Sequence, residues 1–324
     1  MTSKTKRHYN ATIIKEMLQE AGIHGATGIQ PLSAGEYNAI YSAEAAGHEY
    51  VIKIAPSGMP VMTYEQNLMA AELFWHGQLQ VHTSITIPKV YYSNLAGSPN
   101  YFVMDKLPGQ MLNKAKLSKA ERKQSLVHMA EMAAQIHRIK NDKFGYIQDK
   151  NGLHENWYLA IRAMTANVLK DCEAMGQNTP KGQRLLSYID QYQEYLAEAE
   201  CCMVNFDMHA ANIIVHRKNG MLEYAWIDHE RGFWGDRIAE FVNLGILTPP
   251  GKKTAGINAY NEIADIPINF AKKEEKIRYA IALGYLALIM ETERYYRYTR
   301  RHFGWHRNVL AARLLYGQAF KILE

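Results

Sequence analysis

Asp207, Asn212 and Asp228 are the residues of this 324-residue chain whose types and spacing most directly describe a reaction. Asn212 follows Asp207 by five positions, and Asp228 lies beyond a short apolar strand and a turn. Phosphoryl transfer needs such a set: one carboxylate orients an attacking hydroxyl, while an amide and a second carboxylate hold magnesium on nucleotide phosphates. The oxygen atoms of Asn212 and Asp228 suit a hard cation that keeps waters and bridges phosphates. Ile213-Ile214-Val215 and Leu222 through Ile227 read as two strands, with Asn219-Gly220 as a hairpin turn. That hairpin returns Asp228 to the end of the strand pair where Asn212 sits. Singly, Asp207 could cap a helix, Asn212 could cap a turn and Asp228 could end a strand. All three in register make that joint coincidence a poor account.

The elements that must position these residues divide into two kinds. Asn10 to Ala21 reads as a helix stopped by Gly22, and strands are expected at Ala39–Ala45 and Glu49–Ala55, joined through Ala46-Gly47-His48. A helix is expected over 62–77, and two more strands near Lys89–Ser93 and Asn100–Asp105. Leu107-Pro108-Gly109 then marks a hinge. Beyond it Ser118-Lys119-Ala120-Glu121 fits a capping box, and 154–200, 236–244, 270–300 and 305–323 read as mainly helical. The expectation is an α+β chain with a small β-rich lobe (1–107) and a larger, mainly helical lobe (108–324).

Val204 to Asn212 with Trp226 to Glu230 resembles the aminoglycoside phosphotransferase family, small-molecule kinases of the protein-kinase-like fold. The resemblance runs from about Leu32 to Leu244. It is nearest the hygromycin-type enzymes through Leu32-Ser33-Ala34-Gly35-Glu36 and Gly235-Asp236-Arg237-Ile238-Ala239-Glu240. It implies Asp207 as catalytic carboxylate, Asn212 and Asp228 as Mg2+ ligands, and ATP or GTP as phosphoryl donor. Lys53, charged inside the apolar strand Tyr50-Val51-Ile52-Lys53-Ile54, would contact the α and β phosphates and pair with a helix glutamate. Glu65 is the expected partner, with Glu72 in reserve. Ser33 and Gly35 would sit in an abbreviated phosphate-covering loop, where glycine lets backbone amides approach phosphate. Backbone groups of Asp105 and Leu107 would bond the purine edge. The implied acceptor is a small hydroxylated molecule, an aminoglycoside-like antibiotic or a related metabolite.

The chain departs from the family where His-Gly-Asp becomes Asn205-Phe206-Asp207 and Gly-Asp-Pro-x-x-Asp becomes Gly235 to Glu240. Asn can still donate and accept in place of His. The change from Gly to Phe raises a second reading, a kinase-fold nucleotide-binding protein with impaired turnover.

Composition narrows the remaining classes. Hydrophobic residues make up 48% and charged residues 21%, ordinary values for a globular chain. No apolar run approaches the roughly 18 residues of a membrane span. Cys172, Cys201 and Cys202 make no disulfide framework or metal spacing, so a reducing cytoplasm is expected. Residues 250–324 hold 13 Lys/Arg against 7 Asp/Glu. No nucleic-acid motif accompanies that surplus, so it is read as a solvated face rather than a nucleic-acid surface.

Overall fold

The computed structural model describes residues 7–32, 37–244, 248 and 252–324. Helix α1 (Ala11–Glu20) is capped by Asn10, whose side chain accepts from Ile13 N, and it buries Ile14, Met17 and Leu18. These side chains pack on a five-stranded antiparallel sheet of β1 (Thr27–Pro31), β2 (Ala39–Ala45), β3 (His48–Ile54), β4 (Val90–Asn94) and β5 (Tyr101–Asp105). The strand order is β1-β2-β3-β5-β4. Side chains alternate across a strand. On central β3, Ile52 and Ile54 therefore enter the core beneath α1, while Lys53 points to the opposite face.

The helix expected over 62–77 is two elements. A short 3-10 turn at Thr63–Glu65 is followed by Asn67 at φ 59°, and only then by α2 (Leu68–His82). Asn tolerates the left-handed conformation, and a residue there cannot continue a helix. Thr63 is also held from outside, its amide and hydroxyl both donating to Asp171. Glu65 and Glu72 thus do not share a helix.

At Gly109 (φ 108°) the chain crosses to the second lobe so close to Val215 that a Cβ there would overlap its carbonyl. There β6 (Gln110–Met111), β8 (Ile213–Lys218) and β9 (Met221–Trp226) form a three-stranded sheet, and β7 (Cys201–Val204) pairs with β10 (Phe233–Asp236). Asn219 and Gly220 both take positive φ, as a two-residue hairpin turn between β8 and β9 requires. The capping box of Ser118 and Glu121 opens α3 (Lys119–Ile136). Helices α4 (Trp157–Ala174), α5 (Pro180–Gln191), α6 (Gln193–Ala197) and α7 (Thr254–Ile263) surround a long hairpin of α8 (Lys273–Arg297) and α9 (Phe303–Leu323). Ile281, Leu283, Tyr285 and Leu288 are fully buried, so α8 is the lobe's central helix. The helix expected at 236–244 is a 3-10 segment, Arg237–Val242; Asp236 caps Ile238 N at its start, and the Glu240 carboxylate bonds the loop after β7. Among the described residues no helix is long and apolar enough to cross a membrane.

Candidate active site

Strand β7 delivers Asn205, Phe206 and Asp207 to the floor of the cleft between the lobes. Asn205 is fully buried and its Oδ1 accepts the Asp207 amide at 3.0 Å, bracing the loop from within. From below, Glu240 Oε2 accepts the amides of Asn205 (2.7 Å) and Phe206 (3.4 Å). Phe206 itself takes φ 58°, strained for a residue with a side chain, and its ring packs against Phe233 and Tyr285. The replacement of Gly therefore fills the lobe's core rather than the cleft.

Asn212 and Asp207 are locked together. Asn212 Nδ2 donates to Asp207 O and to Asp207 Oδ2, both at 3.0 Å, which turns Asn212 Oδ1 away. Ile227 N donates to Asn212 O at 3.0 Å, so the two ends of the hairpin are tied where Asp228 begins. Asp228 (φ 67°) then reaches Lys53, its Oδ1 at 2.6 Å from Nζ.

Lys53 meets three carboxylates. Glu72 Oε2 lies at 2.6 Å and Glu230 Oε2 at 3.1 Å, in addition to Asp228. Burial disfavours the ammonium, yet Asp228, Glu230 and Glu72 together hold it well above its ordinary range. Burial also pushes Glu72 up to about 8, against the pull of Lys53. One ammonium does not satisfy three carboxylates packed this closely. Each of the three offers an oxygen within 4.8 Å of the others, a donor set of hard oxygens suited to a divalent cation.

The expected partner of Lys53 is corrected here. Glu65 lies on the 3-10 turn and pairs with Arg297 of α8, while its Oε2 accepts Met62 N at 3.0 Å. Glu72 takes the place beside Lys53 because α2 starts late enough to aim it at β3.

A cleft of about 440 Å³ is lined by Lys53, Glu72, Met104, Asp207, Asn212 and Asp228 among others. Met104 is the lining residue from β5. Leu107 lines a separate depression with Thr86 and His128. Asp105 is largely committed, its amide to Lys89 O (2.9 Å) and its carboxylate to His48 and Tyr91 (2.8 Å each). Of the two, Asp105 ends β5 beside the lining residue Met104, and Leu107 is not part of the cleft wall. Ser33 and Gly35 lie outside the described residues.

Sequence reasoning missed several groups at this site. Glu230 joins the Lys53 cluster and accepts from Asn38 Nδ2 at 2.7 Å. Arg231 stands 4.0 Å from Asp207 Oδ2 and 2.5 Å from Glu293. Glu230 and Arg231, two and three residues after Asp228 and followed by Gly232-Phe233-Trp234, were the available signal. Glu293 and Arg297, four apart on α8, gave none, since such pairs are common on helix surfaces. Tyr296 and Tyr298 are buried in packing rather than lining the cleft.

A family model described as the phosphotransferase enzyme family matches residues 28–263. No curated protein matches the chain by sequence. Among solved structures, a thermostable mutant of an aminoglycoside phosphotransferase, in ternary complex with AMP-PNP and hygromycin B, aligns with TM-score 0.64. The identity is 16%, over 96% of this chain and 97% of that one. The microcompartment-associated aminopropanol kinase aligns with TM-score 0.64 and 15% identity, over 96% and 97%. The GDP complex of an aminoglycoside 2'-phosphotransferase mutant gives 0.66 and 11%, over 98% and 100%. At these identities the likeness speaks for the two-lobed kinase-like fold.

Proposed function

This chain belongs to the phosphotransferase enzyme family, and from that premise we propose that it moves the γ-phosphoryl group of ATP or GTP to a hydroxyl of a small molecule, with magnesium. The observation that carries this reading is the coupling of two pairs across one cleft: Asp207 with Asn212, and Lys53 with Asp228. The neighbours that hold an ATP analogue or GDP support a nucleotide donor. Those named for hygromycin B and aminopropanol support an acceptor in the range from hydroxylated drugs to small metabolites.

Lys53, held by Glu72, reaches the α and β phosphates from β3. The Asp105 carbonyl beside Met104 meets the base. Asn212 Oδ1 and the Asp228 carboxylate hold magnesium, which when bound neutralises charge on the phosphates. Asp207 accepts a hydrogen bond from the acceptor hydroxyl and aims its lone pair at the γ-phosphorus. A bond forms from that oxygen to phosphorus, and the bond to the β,γ-bridging oxygen breaks. The nucleoside diphosphate leaves with that electron pair, and the hydroxyl proton passes through Asp207 to solvent. Three buried cysteines free of disulfides suit a reducing cytoplasm.

The reading is tested by incubating the protein with magnesium and ATP or GTP against hydroxylated drugs and metabolites, beside Asp207→Ala. Transfer should fall by about 100-fold to 10,000-fold in the variant. Transfer undiminished in Asp207→Ala would overturn it.

A further inference from the structure

We propose that Glu293 of α8 is a positioning residue for the transfer: it holds the Arg231 guanidinium just beyond bonding distance of Asp207, which leaves that carboxylate open to the acceptor hydroxyl. This rests on the phosphotransferase reading and deepens it. Glu293 lies outside residues 28–263, the segment that the family model matches.

Arg231 lines the cleft together with Asp207 and Glu293. Its Nε stands 4.0 Å from Asp207 Oδ2, about 1 Å beyond the length of a charge-assisted hydrogen bond. The two side chains are only 14% and 19% exposed, so water screens their attraction poorly and the gap needs a restraint. Glu293 supplies it, its Oε1 accepting from Arg231 Nη2 at 2.5 Å. That oxygen is itself fixed: Tyr64 OH donates to it at 2.8 Å from the opposite lobe, and Arg297 Nη2 lies at 3.0 Å. Burial opposes ionisation of Glu293, but Arg297 and Arg231 hold its carboxyl down at about 2. Arg297 pairs with Glu65 as well, so two guanidinium groups are matched by two buried carboxylates. The charge of Arg231 is therefore balanced without Asp207. The Tyr64 ring adds a further hold, its centroid 5.9 Å from the Arg231 guanidinium.

Asp207 needs that separation. Its Oδ2 already accepts from Asn212 Nδ2 at 3.0 Å, and its Oδ1, 3.5 Å from His209 Nε2, is the oxygen left for the acceptor hydroxyl. An arginine released toward an aspartate forms a forked pair that occupies both oxygens. Asp207 would then be drawn to Arg231 and turned from the reacting atoms. A displacement of about 1 Å at such a place costs on the order of 100-fold in rate. Glu293 thus acts on the transfer through Arg231.

Turnover is measured with magnesium and ATP or GTP, using whichever hydroxylated drug or metabolite responds, or phosphate release to water where none does. Glu293→Gln keeps the shape and removes the charge, so kcat should fall about 10-fold to 100-fold with the nucleotide KM retained. Glu293→Asp should recover part of that loss. The decisive protein carries Glu293→Gln and Arg231→Gln together. With the arginine gone nothing collapses onto Asp207, and kcat should rise about tenfold above that of Glu293→Gln alone. A merely structural role does not give that recovery. Glu291→Gln, on the same helix with its carboxylate bonded to Thr179 and Tyr316, should keep kcat. Tyr64→Phe, which removes one donor from Glu293, serves where Glu293→Gln does not fold. It should give a smaller loss of kcat that disappears beside Arg231→Gln, and undiminished kcat there overturns the proposal. So does undiminished kcat in Glu293→Gln, an equal loss in Glu291→Gln, or a double variant no faster than Glu293→Gln. A parent protein without magnesium-dependent AMP-PNP binding or without turnover sinks the phosphotransferase reading instead.

Discussion

Glu240 holds Asn205 by its backbone, with Oε2 accepting the Asn205 amide at 2.7 Å, so a fully buried carboxyl supports the loop that carries Asp207. Burial pushes Glu240 up to about 7, against the lowering effect of the Asn205 and Phe206 amides. Its folded value is raised above the unfolded one, so the folded state binds the extra proton between them. Stability from this group is therefore lost as pH rises from about 4.5 to about 7, by up to about 3 kcal/mol in all. Glu240→Gln keeps an acceptor for the amides and removes the titration. The difference in stability between variant and parent should move in the variant's favour across that window, measured by urea unfolding at pH 5 and pH 8. A difference constant with pH would show that Glu240 does not titrate there.

Lys53 neutralises a site that otherwise repels itself. Lys53→Met leaves buried Glu72 and Glu230 and half-buried Asp228 around a missing ammonium. Removing one partner from a buried ionic cluster costs about 3–5 kcal/mol. Magnesium can substitute for part of the lost charge, because the three carboxylates present oxygens within 4.8 Å of one another. The melting temperature of Lys53→Met should drop in EDTA and recover more with magnesium than the parent does. Equal magnesium responses in both proteins would mean that the cluster does not take the ion.

Glu72 and Glu65 should separate into different phenotypes. Glu72→Gln loosens Lys53 and should lower nucleotide turnover by about tenfold or more, with little change in fold. Glu65→Gln removes one carboxylate from buried Arg297, which also pairs with Glu293 at 3.0 Å. It should reduce unfolding stability by about 1–3 kcal/mol, with the nucleotide KM retained. Parallel unfolding curves and initial rates distinguish the two, and identical behaviour would mean that Lys53 depends on neither more than the other.

The contrast between these glutamates shows where the sequence was legible. Asp207, Asn212 and Asp228 are joined by a hairpin, so local spacing and the Asn219-Gly220 turn were enough to bring them together. Lys53 stood out as a charge on an apolar strand. The partner of Lys53 depends instead on where α2 begins. That is decided by Asn67 in a left-handed conformation and by Asp171, 108 residues away, holding Thr63. Glu65 is claimed by Arg297, 232 residues away. Contacts of that range leave no periodicity in the chain. The segment 237–242 had helical spacing as well; it forms a 3-10 segment whose Glu240 carboxylate supports the loop after β7, 35 residues back in the chain.

Phe206 opposes two effects that a pair of substitutions can separate. Its ring is 1% exposed among Phe233 and Tyr285, so truncation to Ala should cost about 3–5 kcal/mol. Its backbone at φ 58° is strained for any residue with a Cβ and relaxed for glycine. Phe206→Gly should therefore be more stable than Phe206→Ala by about 1 kcal/mol, although it removes more side chain. In a helix or strand the order would be reversed. Asn205 Oδ1 still holds the Asp207 amide in both variants, so Asp207-dependent turnover should persist where either is folded. Urea unfolding of the two variants side by side decides it: Ala above Gly would mean that the loop relaxes out of the left-handed conformation once the ring is gone.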